Sequence, residues 1–335
     1  MMRGAPWVIL ACGLAAAIVG SAGRGVVVAQ EQPVGLLAEP KPTERPKIAV
    51  IPKGTTHVFW KSVEAGARRA GEEFAAEIIW KGPLKENDRA QQIQLVQQFI
   101  SQGVDAIALA PLDFKALVGP VRAARERKIP VVIFDSSLDA KPGQDFVAYR
   151  ATDNEKGGRL GGEELARRLD GKGSVVLLRY QVGSASTDDR EKGFLAAIAA
   201  HRDIKVISDN RYAGATVGEA KTAALNMIDD IRKADGIFCP NESSTAGMLL
   251  ALQQEGLAGK VKFVGFDSSP PLVSALKSGE IHGLVVQNPR QMGYEAVKAL
   301  VLHRRGETVE PIVDTGAALV TLENMNQPEI KALIE

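Results

Sequence analysis

The segment Lys128-Ile129-Pro130-Val131-Val132-Ile133-Phe134-Asp135-Ser136 carries the pattern on which the fold turns. Lys128-Ile129-Pro130 stops one helical stretch, four apolar residues follow without interruption, and the run drops onto an aspartate. A short unbroken apolar run of this kind reads as a strand buried on both faces, as parallel sheets require. The drop recurs along the chain. It is seen at Lys47–Ile51 before Pro52-Lys53, at Ala106–Leu109 before Pro111-Leu112-Asp113 and at Val175–Leu178 before Arg179. Gly236-Ile237-Phe238 before Pro240-Asn241, and Phe263-Val264-Gly265-Phe266 before Asp267, repeat it. Each run is followed by helical periodicity, as in Ile93, Val96, Phe99 and Ile100, which share one helix face. Strands alternating with helices predict an α/β fold with parallel sheets. Such sheets bind ligands outside the carboxyl ends of their strands. The polar residues that terminate the runs are therefore the expected binding surface.

The 335 residues favour two domains. Arg3 followed by the apolar stretch Trp7 to Val19 is too short to span a membrane comfortably, and Val27-Val28-Ala29 offers a cleavage site. Residues 1–29 are expected to be a secretory signal. Ile9-Leu10-Ala11-Cys12 leaves open a lipoprotein anchored through Cys12. Residues 30–46, with Pro33, Pro40, Pro42 and Pro46, read as a linker. Beyond the leader only Cys239 remains, so no internal disulfide framework is expected. Loss of Arg3 and Arg24 from the 41 basic residues leaves them one short of the 40 acidic ones, which argues against a nucleic-acid surface.

Two successive α/β rounds follow. The expected plan is a first lobe over 47–152, a second over 153–286, a return segment at 287–315 completing the first, and a tail at 316–335 serving the hinge and the second lobe. Helices are expected at 59–74, 89–102, 114–127, 187–200, 217–231 and 244–255, among others.

Gly157-Gly158-Arg159-Leu160-Gly161-Gly162 lies inside a helical stretch and reads as close packing rather than phosphate binding. His57, His201, His282 and His303 share no metal-ligand spacing. There is no nucleophile elbow or phosphate loop, and no cofactor or metal is expected. The recurring candidates are the strand-end carboxylates Asp113, Asp135 and Asp267, which accept hydroxyl hydrogen bonds but could equally cap helices or make turns. Asn241 and Gln287 both donate and accept. Arg190 is a rigid multi-donor fork, or an exposed helical arginine among Asp188, Asp189, Glu191 and Lys192. Glu191 is expected to face solvent. His57 follows the first strand, as do Phe59 and Trp60, which offer a stacking platform for a sugar face or ordinary core.

At this point the chain resembles the type I periplasmic solute-binding proteins of ABC importers, in their ribose/galactose-type group. The resemblance runs from Lys47 to about Leu322. It rests on Gln102-Gly103-Val104-Asp105-Ala106-Ile107, Lys128-Ile129-Pro130-Val131-Val132, Ala151-Thr152-Asp153-Asn154 and Val264-Gly265-Phe266-Asp267 in order. It implies two Rossmann-like lobes joined by three hinge crossings, with ligand clamped between them. It assigns sugar contacts to Phe59, Trp60, Asp135, Asp267, Arg190, Asn241 and Gln287. Ribose binders carry arginine where Ser136 stands. Ile51-Pro52-Lys53 is closer to the autoinducer-2 and rhamnose receptor branch, in which a lysine at the Lys53 position touches ligand. Asn241-Glu242 leans back toward sugar binders, so Lys53, Ser136 and Glu242 join the expected set. The expectation is a monomeric periplasmic receptor that delivers a sugar or sugar-like ligand to a membrane permease. A sensory receptor feeding a histidine kinase or chemoreceptor would share these features. A sugar-modifying enzyme would need a base, nucleophile or metal in position, and none is found.

Overall fold

The computed structural model describes residues 45–334. The expected secretory signal, Cys12 and nearly all of the expected linker lie outside these described residues.

Each apolar run becomes a strand because its side chains divide between two cores. In β1 (Lys47–Ile51), Ile48 and Val50 face one helix layer while Ala49 and Ile51 face the other. In β4 (Val131–Phe134), Val132 and Phe134 take the first face and Val131 and Ile133 the second. In β6 (Lys172–Arg179), Val176 and Leu178 pack apart from Val175 and Leu177. Burying such a side chain contributes about 1.5–3 kcal/mol, and only a sheet covered on both sides buries all of them.

The remaining first-half elements are α1 (Val58–Glu73), β2 (Glu77–Trp80), α2 (Arg89–Gln102), β3 (Ala106–Leu109), α3 (Val118–Glu126), β5 (Ala148–Ala151) and α4 (Asn154–Arg168). Then come α5 (Ala185–Ala199), β7 (Asp203–Tyr212), α6 (Val217–Leu225), α7 (Ile228–Ile231), β8 (Gly236–Phe238), α8 (Glu242–Gln254) and β9 (Lys262–Phe266). The chain continues with α9 (Pro270–Lys277), β10 (Gly283–Gln287), α10 (Pro289–Arg304), β11 (Ile312–Asp314), β12 (Ala317–Val320) and α11 (Pro328–Ile334).

They build two 6-stranded sheets, ordered β11-β5-β4-β3-β1-β2 and β12-β10-β9-β8-β6-β7. The two orders correspond strand for strand. All pairings are parallel except β10 with β12. The chain passes between the sheets after β5, after β10 and between β11 and β12, so three segments form the hinge. They are tied together. Thr152 Oγ1 donates to Gln287 Oε1 at 2.8 Å and approaches Gly316 O at 3.3 Å, and Asp153 N donates to Asp314 Oδ1 at 3.0 Å.

Two helix pairs pack through glycine. A methyl at Gly158 would sit 1.9 Å from Arg190 O, and one at Gly193 would sit 2.0 Å from Glu155 O, so α4 and α5 touch backbone to backbone. Gly66 and Gly293 do the same for α1 and α10, at 1.9 Å from Arg290 O and 2.1 Å from Val63 O. The run 157–162 is thus a packing surface that sets the position of Arg190.

Several boundaries differ from expectation. The helix expected at 114–127 starts only at Val118, because Asp113 Oδ1 takes the N–H groups of Lys115 and Ala116 in a turn. The helix expected at 217–231 ends at Leu225, where Asn226 N closes on Thr222 O, and Ile228–Ile231 forms a separate turn. α9 and α11 were not expected, although both open on proline, the residue best suited to a first helical position.

Candidate functional site

The carboxyl ends of the two sheets face one another across a small cavity. Lys53, His57, Phe59, Trp60, Glu86 and Asp135 line it from the first lobe, and Tyr180, Ser186, Thr187, Arg190, Asn241, Glu242 and Asp267 from the second, with Gln287 at a hinge crossing. A wider depression over α1 and α10 gathers, among the described residues, only Arg69 and Arg290 as charged groups. Convergence of buried charge singles out the smaller cavity.

Two aspartates occupy corresponding positions, one after β4 and one after β9. Both are left-handed, with φ 62° at Asp135 and 69° at Asp267, a conformation that aspartate tolerates better than most residues. Each N–H still donates to the neighbouring strand, to Arg150 O and Val285 O, so the chain swings the carboxylate off the sheet end into the cavity. Asp135 Oδ2 lies 2.9 Å from Lys53 Nζ, an ion pair without a complete hydrogen bond at that oxygen. Lys53 Nζ also reaches the second lobe, donating to Ser186 Oγ at 2.9 Å and Ser184 Oγ at 3.3 Å. Asp267 accepts from Gln287 Nε2 at 2.7 Å and from Glu242 N at 2.9 Å. Burial pushes the Asp267 pKa up, opposed by the Arg190 guanidinium.

Arg190 is buried, not solvated. Its Nε donates to Asn154 Oδ1 at 2.8 Å, its Nη1 donates to Pro240 O at 3.0 Å, and its plane lies 4.0 Å over the Phe266 ring. Nη2 has no hydrogen-bond partner among the described residues. The expectation that Glu191 faces solvent is overturned. Glu191 is 1 % exposed, accepts from Tyr180 N at 3.0 Å and pairs with Arg179 Nη1 at 2.7 Å. Glu191→Ala is therefore expected to destabilise the fold by about 1–3 kcal/mol through orphaned buried donors, and to weaken binding through Tyr180. Chemical denaturation with no shift in midpoint would contradict this.

Glu86 gathers the far side of the cavity. Its Oε1 accepts from His57 Nδ1 at 2.6 Å and Trp60 Nε1 at 2.7 Å, and its Oε2 accepts from Tyr180 Oη of the other lobe at 2.9 Å. Burial alone would lower the His57 pKa, but the Glu86 carboxylate raises it from 6.5 to about 9. Burial alone would raise that of Glu86, but His57, Lys53 and Trp60 bring it from 4.5 down to about 2. A raised histidine pKa stabilises fully below the unfolded value of 6.5 and is lost as pH rises through about 9. A lowered carboxylate pKa stabilises above 4.5 and is lost as pH falls toward about 2. Melting temperature against pH should thus lose an alkaline limb in His57→Gln. An unchanged slope between pH 6.5 and 9 would refute the assignment.

Two sequence candidates do not line the cavity. Asp113 is held by Arg89 Nη1 at 2.7 Å and caps the turn before α3. Ser136 is buried and its Oγ accepts from Ser186 N at 3.0 Å, a lobe-to-lobe contact. Glu86, Tyr180, Ser186, Thr187 and Asn154 escaped the sequence reading. Tyr180 directly follows β6 and could have been found by the strand-end rule; Glu86 lies in a loop and carries no such signal.

A cavity between the facing carboxyl ends of two parallel sheets, on a three-segment hinge, defines a two-lobed solute-binding fold. Residues 48–308 match the periplasmic binding protein domain, and the chain belongs to that family. It is 31% identical to the D-ribose/D-allose-binding protein of Pseudomonas aeruginosa, over 83% of this chain and 89% of that protein. The ribose import binding protein RbsB of Salmonella typhimurium is 28% identical, over 78% and 86%. Among solved structures, a carbohydrate transporter solute-binding protein from Agrobacterium radiobacter in complex with D-arabinose superposes with a TM-score of 0.83 at 35% identity, covering 88% of this chain and 100% of that one. One from Agrobacterium vitis with bound D-fucose gives 0.83 at 34%, covering 86% and 100%.

Proposed function

We propose that this chain is a periplasmic, monomeric receptor that closes on a monosaccharide or similar hydroxyl-rich ligand and presents it to the membrane permease of an ABC importer. One observation carries the choice of ligand chemistry. Arg190 Nη2 and Asp135 Oδ2 are a buried donor and a buried acceptor, each with hydrogen-bonding capacity left over, in one cavity. A hydroxyl group both donates and accepts and so suits both. Buried groups of this kind cost free energy until a ligand completes them, which supports reading the cavity as a binding site. Asn241 and Gln287 add further groups of mixed character, while Phe59 and Trp60 supply the aromatic wall. The relatives named above bind ribose, allose, arabinose or fucose, which differ in stereochemistry but share a densely hydroxylated skeleton. The proposed role involves neither nucleic acid nor turnover of the ligand.

A thermal-shift screen of the mature protein against monosaccharides and polyols tests the reading. A ligand present at about a hundred times its dissociation constant adds roughly 2.7 kcal/mol of stability. Absence of stabilisation across the whole panel would overturn the ligand class. With a ligand in hand, small-angle scattering should show compaction as the hinge closes. Superimposable curves with and without that ligand would count against closure.

A further inference from the structure

The first turn of α1 lacks a side-chain cap from its own lobe. Its N-cap, His57, is extended at φ −74° and ψ 151°, with no side-chain hydrogen bond to the helix. The N–H groups of the first helical residues need acceptors once water is excluded. They find one across the cleft. Val58 N donates to Glu242 Oε1 at 3.3 Å and Phe59 N donates to Glu242 Oε2 at 3.0 Å. Glu242 is the first residue of α8, whose own N-terminus is capped by Asn241 and Ser244. Its carboxylate therefore stands at the positive ends of two helices, one in each lobe, where both dipoles favour negative charge.

We propose that Glu242 is a closure latch: a positioning residue that caps α1 from the opposite lobe and favours the closed form before any ligand enters. This rests on the reading of a cleft that closes on its ligand. It gives Glu242 a role in addition to lining the cavity, since each of its carboxylate oxygens accepts from the backbone of the opposite lobe. In an open cleft, water serves Val58 N and Phe59 N. On closure these donors leave water, and without Glu242 at least the buried Phe59 N would go unpaired. Removing the carboxylate thus penalises the closed state alone. The apparent affinity of every ligand should fall by one common factor, because each binds the same depleted closed population.

The test is a double-mutant cycle of Glu242→Ala and Val58→Pro, with spin labels on the two lobes. Val58, 37 % exposed, does not line the cavity, and proline suits the first helical position after an extended residue. Val58→Pro deletes one of the two donors without touching Glu242 or a bound sugar. In ligand-free protein, Glu242→Ala should shift the interlobe distances toward the open form. Val58→Pro should shift them less, and the double variant no further than Glu242→Ala. Calorimetry with D-ribose, D-allose, D-arabinose and D-fucose should show affinity for each binder reduced by the same factor in Glu242→Ala, about tenfold. Unchanged ligand-free distances in both single variants, fully additive shifts, or factors that differ between sugars would overturn the latch. If Glu242→Ala fails to fold, Val58→Pro alone must still move the distances. The distances are read without sugar, so a failure of the sugar panel and a failure of the latch are separate results.

Discussion

Lys53→Met is expected to reduce sugar binding by a hundredfold or more and to lower the melting temperature. Lys53 is buried, its ammonium is 2.9 Å from Asp135 Oδ2, and it donates to Ser184 and Ser186 of the other lobe. Methionine keeps the length of the stem but removes the cation. Asp135 would then be a buried charge without its counterion, a situation that costs about 3–5 kcal/mol. The loss falls mostly on the closed state, since opening the cleft lets water reach Asp135, so affinity should suffer more than global stability. Adding Asp135→Asn removes the orphaned charge and should recover stability without recovering affinity. Asparagine also tolerates the left-handed backbone there. Calorimetry on the best ligand, paired with thermal melts, reads both quantities. Affinity within threefold of wild type in Lys53→Met would sink this account of the cavity.

The second large effect is expected from Arg190→Ala. This side chain is fixed by Asn154, by Pro240 O and by the Phe266 face, which leaves Nη2 as the nitrogen without a partner among the described residues. Truncation removes that donor and leaves Asn154 Oδ1, Pro240 O and the Asp267 charge with less support. Losing a charged hydrogen bond to ligand costs about 1.5–3 kcal/mol, or roughly 10- to 150-fold in affinity. The appropriate control is Lys192→Ala, on the same helix but exposed and, among the described residues, ion-paired only with Asp189. Its affinity should match wild type. An Arg190→Ala protein that binds as tightly as this control would show that the guanidinium is structural.

The parallel-sheet architecture was legible because unbroken apolar runs have few other uses in a chain of this length. The aspartates after β4 and β9 were legible for the same reason: they are the first polar residues beyond a doubly buried strand. Asp113 is also the first polar residue after an apolar run, but Ala110-Pro111-Leu112 separate it from β3, and two backbone N–H groups of the following turn capture it. The intervening proline and leucine carry Asp113 away from the strand end and into the turn before α3. Arg190 and Glu191 were hard to place because Asp188, Asp189 and Lys192 give α5 the composition of a solvated face. The helix is wedged against α4 by Gly158 and Gly193, and Arg179 from β6 meets Glu191 in the interior. Long-range pairing of this kind leaves no periodic trace. Glu86 is the extreme case, a loop carboxylate whose partners come from a helix, a neighbouring loop and the other lobe.

The placement of the three hinge segments has a mechanical consequence. Gln287 is bonded both to Thr152 of another crossing and to Asp267 of the cavity, so the axis of any lobe rotation runs beside one end of the binding site. Glu86 follows β2, four strand spacings from β5 in the sheet order, a lever arm of roughly 19 Å. Rotation barely displaces the axis-side groups and carries the far-side groups a long way. A sugar entering the open cleft therefore meets Gln287 and Asp267 near their final positions, while Tyr180 reaches Glu86 and His57 only at the end of the stroke. Recognition divides into anchoring and completion. A truncated sugar that anchors but reaches nothing at the far end would occupy the cleft and leave it ajar, competing for the site without producing the shape that a transporter reads.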